Sequence, residues 1–250
     1  MTDKASRRRI DRRRFLQGAG AALLATAGVG LVPHPLRRAL LPVGVGTAAA
    51  AEPFDLFYAG TDGWISLPAS PALGYFHPDS YAPPGFSTYV FGFRNVTGLT
   101  EAQRNLQKNH AQHPAPLFWV TEGTSFKVQL TNLGLAQRPD LFDEHTIHWH
   151  GFRNVIPFFD GEPTGSVSVP AGTFFTYVFR PHHPGTYMFH CHVEDVEHVH
   201  MGMTGLVFVR PTMGPKFAYN DAATAFDREY AMFLSEVWAE SHWADAHIQL

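Results

Sequence analysis

Cys191 stands between two histidines, in His190-Cys191-His192. Met203 follows twelve residues after the cysteine, with His198 and His200 in between. Upstream lies a second cluster, His145-Thr-Ile-His148-Trp-His150-Gly. A thiolate, several imidazoles and a thioether are soft or borderline donors. Two His, one Cys and a weak axial Met describe a blue-copper site, rather than one for zinc or calcium. The chain has a single Cys, so no disulfide can form within it. Histidines on both sides of the lone thiol mark it as a ligand. A Cys–His nucleophilic pair would need neither Met203 nor His145.

The spacing has a geometric reading. On a strand, side chains alternate between faces, so residues two apart point the same way. His190 and His192 share a face and Cys191 takes the other. His148 and His150 share a face, and His145 points opposite to them if the strand is continuous. Two sets follow. Cys191, His145, His198 and Met203 can converge on one metal, and His148, His150, His190 and His192 on a second site behind the strand.

These ligands need a rigid scaffold, and the flanking sequence describes one. Leu117–Thr121 and Ser125–Thr131 are strand-like runs around a Glu122-Gly-Thr turn. Thr173–Arg180 alternates, Thr186–His190 leads into the cysteine, and Thr204–Arg210 follows. Short β-branched and aromatic runs between Gly and Pro turns indicate an antiparallel sandwich. Residues 52–116 are rich in Gly, Pro and aromatics with few periodic runs, and Glu101–His110 is the one persuasive helical stretch.

From Pro114 to Pro211 the chain resembles the multicopper oxidases, the laccase-like blue copper enzymes. The resemblance rests on His145-x-x-His148-x-His150-Gly, Asp160-Gly, and Gly185-Thr-Tyr-Met-Phe-His-Cys-His192 running on to Met203. It implies an all-β, cupredoxin-like Greek-key β-sandwich, and copper as cofactor. His145, Cys191, His198 and Met203 would be type 1 ligands. His148 would serve type 2 copper, and His150, His190 and His192 type 3. The type 1 site would take single electrons from a small reducing substrate. The trinuclear cluster would reduce dioxygen to water. Asp160 matches a proton-delivering Asp of the family, although Asp-Gly also favours a plain turn.

The chain departs from the family pattern twice. In common laccases the type 1 His follows the Cys by five residues; here position 196 is Val and His198 is seven away. We read a two-residue insertion in Val193–Glu197, with His200 the competing ligand. The family's cluster also needs four His-x-His pairs, and this chain offers two. Its other half would come from a second cupredoxin domain, or from other subunits as in trimeric two-domain relatives.

The first residues read as an address. Residues 1–51 join a basic stretch with Arg12-Arg-Arg-Phe-Leu16 to a Gly/Ala-rich segment and small residues at Ala48–Ala51. This resembles a twin-arginine export signal, which implies a periplasmic or extracellular protein. A retained membrane anchor at residues 15–33 is the alternative. Beyond residue 51 there are ten basic and twenty acidic residues, which argues against nucleic acid. Residues 52–213 form the expected cupredoxin domain. Residues 214–250 read as a linker and the start of a further, missing domain, with Glu229–Trp238 as its first strand. The alternative is a terminal strand or helix packed on the single domain.

Two other functions compete. A copper nitrite reductase also has a type 1 site of this kind, but that family carries Asp at the position of His148 and no His directly after the Cys. A single-domain electron carrier would need only the Cys191 set and leaves the other four histidines unexplained. The remaining histidines (His77, His110, His113, His182, His183, His242 and His247) read as surface or satisfied side chains.

Overall fold

The computed structural model describes residues 55–67, 79–83, 85, 87–152 and 156–247. The residues read as an export signal lie outside them, as does the alternative anchor at 15–33. No helix among the described residues is long and apolar enough to cross a membrane.

Among the described residues, eight strands form two four-stranded sheets: β1 (Asp55–Ser66), β2 (Ser87–Asn95), β3 (Ala115–Thr121), β4 (Phe126–Asn132), β5 (His148–Trp149), β6 (Phe174–Phe179), β7 (Gly185–His190) and β8 (Thr204–Arg210). One sheet runs β2-β1-β4-β6 and the other β3-β8-β7-β5. In each sheet one pair is parallel, β1 with β4 and β3 with β8, so strands distant in sequence lie side by side. This is the cupredoxin-like sandwich expected from the sequence.

Alternation explains the layering. In β4, Phe126, Val128 and Leu130 are buried while Lys127, Gln129 and Thr131 are not. The inner faces meet through aromatic rings. Tyr58 of β1 stacks on Phe189 of β7 at 5.9 Å. Trp149 packs 4.9 Å from Phe189 and 5.9 Å from Phe126. Burial of such rings dominates a core of this size.

Among the described residues, three short helices decorate the sandwich: α1 (Glu101–Asn105), α2 (Asp195–Met201) and α3 (Ala239–His247). Thr100 and Gln103 form a reciprocal capping box at α1. The segment read as an inserted loop after Cys191 folds into α2. Glu229–Trp238 forms no strand among the described residues, and Tyr230, Met232 and Leu234 are exposed along it. The chain then turns into α3, which packs on β2: the His242 ring donates to the Tyr89 carbonyl at 2.5 Å, and Ala246 joins the core. This second helical layer is why β2, an edge strand, is buried along most of its length.

Candidate metal centre

β7 carries the centre's backbone. It delivers His190 at its last residue, and Cys191 and His192 continue past it. The Cys191 amide donates to the Met203 carbonyl at 3.0 Å, and the Met203 amide donates to the His198 carbonyl at 2.8 Å. The loop thus closes on itself with the Met203 side chain fully buried. β5 pairs His148 with His190 across the sheet. His145 is held by a separate bridge to Val169.

Alternation then sorts the side chains. The Cys191 thiol, His145 and His198 bring one ligand atom each within 4.8 Å of one another, all buried. The Cys191 Sγ lies 3.2 Å from His198 Nδ1, and the His145 and His198 rings are 5.1 Å apart. His148, His150 and His190 form a second group. His192 joins it, its ring 4.9 Å from that of His148 and 5.4 Å from that of His190. His200 turns away from the thiol, towards Trp238 and His242.

The hydrogen bonds leave lone pairs where a metal would need them. His148 Nδ1 donates to the Asp160 carbonyl at 2.7 Å, and His190 Nδ1 donates to the Cys191 carbonyl at 2.7 Å. A backbone carbonyl can only accept, so each ring turns an unprotonated Nε2 to the pocket. Such fixing of the tautomer by the second nitrogen accompanies metal-binding histidines. His150 Nε2 and His190 Nε2 face each other at 2.8 Å. Burial, then the charges of His148 and His192, hold His150 below its ordinary pKa. Burial acts first on His190 as well, and its pKa is also low.

The thiol site is polarised. Burial opposes the Cys191 thiolate, but contacts with His145 and His198 outweigh it and bring the thiol down to about 6. Burial likewise opposes charge on His198, but Asp143 at 3.4 Å and the Cys191 thiolate push it up to about 10. Both ring nitrogens of His145 are buried without a hydrogen-bond partner. Buried polar atoms are nearly always paired, so an orphaned imidazole beside a thiolate is a ligand set in need of an ion. Copper fits these donors.

Several supporting residues escaped the sequence reading. The Thr146 amide points at the Cys191 Sγ from 3.4 Å, and its hydroxyl accepts the His192 amide at 2.9 Å. Gly60 lies so close that a Cβ there would sit 2.6 Å from the His145 ring. Asp160 sits at the end of a 3-10 turn, Pro157–Phe159, with its carboxylate 3.7 Å from His148 Nδ1. At Gly161, with φ +77, a Cβ would meet the Ile147 carbonyl at 2.2 Å. The turn and the carboxylate contact are therefore both real. Asp143, Glu194 and His198 form a further group within 4.8 Å, at the outer side of the thiol site.

The sequence model of the multicopper oxidase family matches residues 93–214. Residues 93–214 belong to the multicopper oxidase family. Within this family, the chain is similar to multicopper oxidase aurL2 of Gibberella zeae, 32% identical over 111 residues, 43% of this chain and 17% of that protein. It is similar to L-ascorbate oxidase of Brassica rapa subsp. pekinensis, 29% identical over 133 residues, 52% of this chain and 21% of the relative. Among solved structures, a blue copper oxidase from Nitrosomonas europaea aligns with a TM-score of 0.44 at 30% identity, covering 65% of this chain and 39% of the other. The chain spans about a fifth of the length of these two curated multicopper oxidase relatives.

Proposed function

We propose that this chain is part of a multicopper oxidase that takes single electrons from a reducing substrate and delivers them to dioxygen. Bound copper would supply one-electron chemistry at the Cys191 set and reduction of dioxygen to water at the His148 set. The observation that carries the reading is the link between the two. Cys191 belongs to one group and its neighbours His190 and His192 to the other. The His190 Nδ1–Cys191 carbonyl hydrogen bond of 2.7 Å adds a short cut to the covalent path.

His145, Cys191, His198 and Met203 would hold the electron-accepting ion. His148 would bind as a type 2 ligand, and His150, His190 and His192 as type 3 ligands. The Asp160 carboxylate, 3.7 Å from His148 Nδ1, would pass protons towards that pocket, which water formation requires. With only two His-x-His pairs in use, a second cupredoxin domain or a homo-oligomer such as a trimer would complete the cluster. Export by a twin-arginine signal, to the periplasm or beyond, belongs to the same proposal.

One observation favours a class of donor. Asp143 and Glu194 lie against His198 on the outer side of the thiol site. Carboxylates there attract cations. A cationic amine or a metal ion is the better electron donor on this ground than a neutral phenol.

Copper loading of the full chain tests the reading. Wild type should show intense blue absorption from one thiolate-bound copper per chain. Cys191→Ala should lose the colour and one copper while its circular dichroism is unchanged. A blue Cys191→Ala protein would defeat the assignment. Blue colour without oxygen uptake in every oligomeric state would reduce the protein to an electron carrier.

A further inference from the structure

The turn that carries Met203 is held from outside the ligand set. Gly202 caps α2, and Met203 alone separates it from β8. Gly202 stands at φ 122, a conformation that favours glycine. A Cβ there would also meet the Phe91 carbonyl at 2.7 Å and His113 Nδ1 at 3.0 Å. The Gly202 amide donates to the Val199 carbonyl at 3.1 Å, and its carbonyl accepts the Thr204 amide at 2.8 Å. Met203 commits its amide to the His198 carbonyl and its carbonyl to the Cys191 amide. Its side chain is fully buried, so the backbone of this turn fixes where the sulfur stands.

His113 reaches this turn from a distant part of the chain. It lies just before β3, 89 residues ahead of Gly202 in sequence, and its Nδ1 is 3.0 Å from the Gly202 carbonyl. A carbonyl can only accept, so Nδ1 carries the proton. Nε2 lies 3.0 Å from the Ser235 hydroxyl, which must then donate. The second bond fixes the tautomer that the first one needs. The Phe233 ring packs edge-on against the imidazole at 6.4 Å. Both nitrogens of His113 are therefore engaged, one on the turn and one on the C-terminal segment that orients the ring.

We infer that His113 is a positioning residue for the thiol site. Through the Gly202 carbonyl it holds the Met203 turn where the bound ion needs it, and Ser235 keeps the ring in place. The inference rests on the copper reading of Cys191, His145, His198 and Met203 proposed above. A thioether is a weak axial donor, and the axial ligand tunes the potential of the ion. Releasing the turn weakens that donation and favours the reduced ion, which needs fewer donors. The C-terminal segment thus reaches the thiol site through two hydrogen bonds.

Two readouts on the full chain test it, one without copper and one with. In metal-free protein, deuterium exchange at residues 202–204 is compared between wild type, His113→Leu and His113→Asn. His113→Leu removes the donor and should speed exchange there at least about threefold, as expected for the loss of one ordinary hydrogen bond. His113→Asn offers an amide N–H at the place of Nδ1 and should return the rate towards wild type. In copper-loaded protein, the ratio of reduced to oxidised thiol site at a fixed ambient potential should rise at least about threefold in His113→Leu and fall back in His113→Asn. A merely structural contact would lower the melting temperature of His113→Leu and leave that ratio alone, which overturns the inference. Ser235→Ala, at an exposed position, should move both readouts in the same direction and carries the test if His113→Leu does not fold. A Ser235→Ala protein indistinguishable from wild type would then overturn it. If wild type takes up no blue copper, the proposed function fails, while the exchange rates still decide whether His113 holds the turn.

Discussion

Each of the two candidate pockets is built from residues whose protons are already arranged for an ion. At the thiol site the Cys191 proton leaves at about 6 and that of His198 at about 10. A copper ion needs the thiolate and the neutral imidazole. Between those values binding displaces one proton, from His198, and affinity should rise about tenfold per pH unit. Below pH 6 two protons are displaced and the slope should approach about a hundredfold per unit. Titration of the blue absorption against a copper chelator at several pH values measures both slopes; a flat profile across pH 6–9 would contradict the polarised pair. Gly60 sets a second residue-level expectation. Gly60→Ala places a methyl 2.6 Å from the His145 ring, against the side chain that would hold the ion. The variant should bind copper at the thiol site at least about tenfold more weakly, with a cost in stability of about 1–3 kcal/mol from overpacking. The donor identities were legible in the sequence because alternation alone separates Cys191 from its neighbours. Gly60 and Thr146 were not legible, because their roles depend on strands far apart in the chain.

At the scale of elements, the region after Cys191 departs most from expectation. Val193–Glu197 read as an inserted loop because His198 follows Cys191 by seven residues, where common laccases have five. The structure closes it into α2, which begins after Glu194 in the left-handed region at φ 44. That conformation costs a non-glycine residue about 1 kcal/mol or more. Glu194→Gly should therefore raise the melting temperature by a few degrees, measured by calorimetry on metal-free protein, where the acidic group has no cation to hold. An unchanged or lower melting temperature would mean that Glu194 makes compensating contacts. The helix also resolves the rivalry of His198 and His200. Two residues apart on a helix they diverge, so one faces the thiol and the other α3. β1 and β2 were invisible for an opposite reason. Gly60 and Gly63 interrupt the β1 pattern, yet both are demanded by close approach, to His145 and to the Ala111 backbone. The room required by a ligand weakened the very signal that announces a strand. β8 also holds a closely approached glycine, Gly205 against Phe189 and Ala115, but it stands at the strand's start, and the bounds match the expected Thr204–Arg210.

The whole molecule is held by two sheets whose inner rings interlock, and by one buried acid. Asp62 is fully buried in β1. Its Oδ2 accepts the Tyr89 hydroxyl at 2.8 Å and the amides of Ala136 and Gln137 at 2.7 Å each. This ties β1, β2 and the loop after β4 into one block beneath α3. Asp62→Ala would remove the acceptor of the buried Tyr89 hydroxyl and of two part-buried amides and should cost about 2 kcal/mol, read from urea unfolding; a loss under about 1 kcal/mol would show that water replaces the carboxylate. At this scale the sandwich was legible from β3 onwards. The helical cap was not, since Ala239–His247 has a weak apolar face and packs through a polar histidine.

The brevity of β5 has a kinetic consequence. Three imidazoles hang on a stretch secured by one isolated bridge at His145 and a two-residue ladder at His148–Trp149. The amides of His145, Thr146, Ile147 and His150 bond singly, to the Val169 carbonyl, the Cys191 Sγ, the Tyr177 hydroxyl and the Met188 carbonyl, and not in a continuous ladder, so without an ion this stretch should exchange with deuterated solvent before β4 or β8. An ion gripping those rings would act as the missing clasp, and slowed exchange at 145–150 would report its arrival without any colour or turnover.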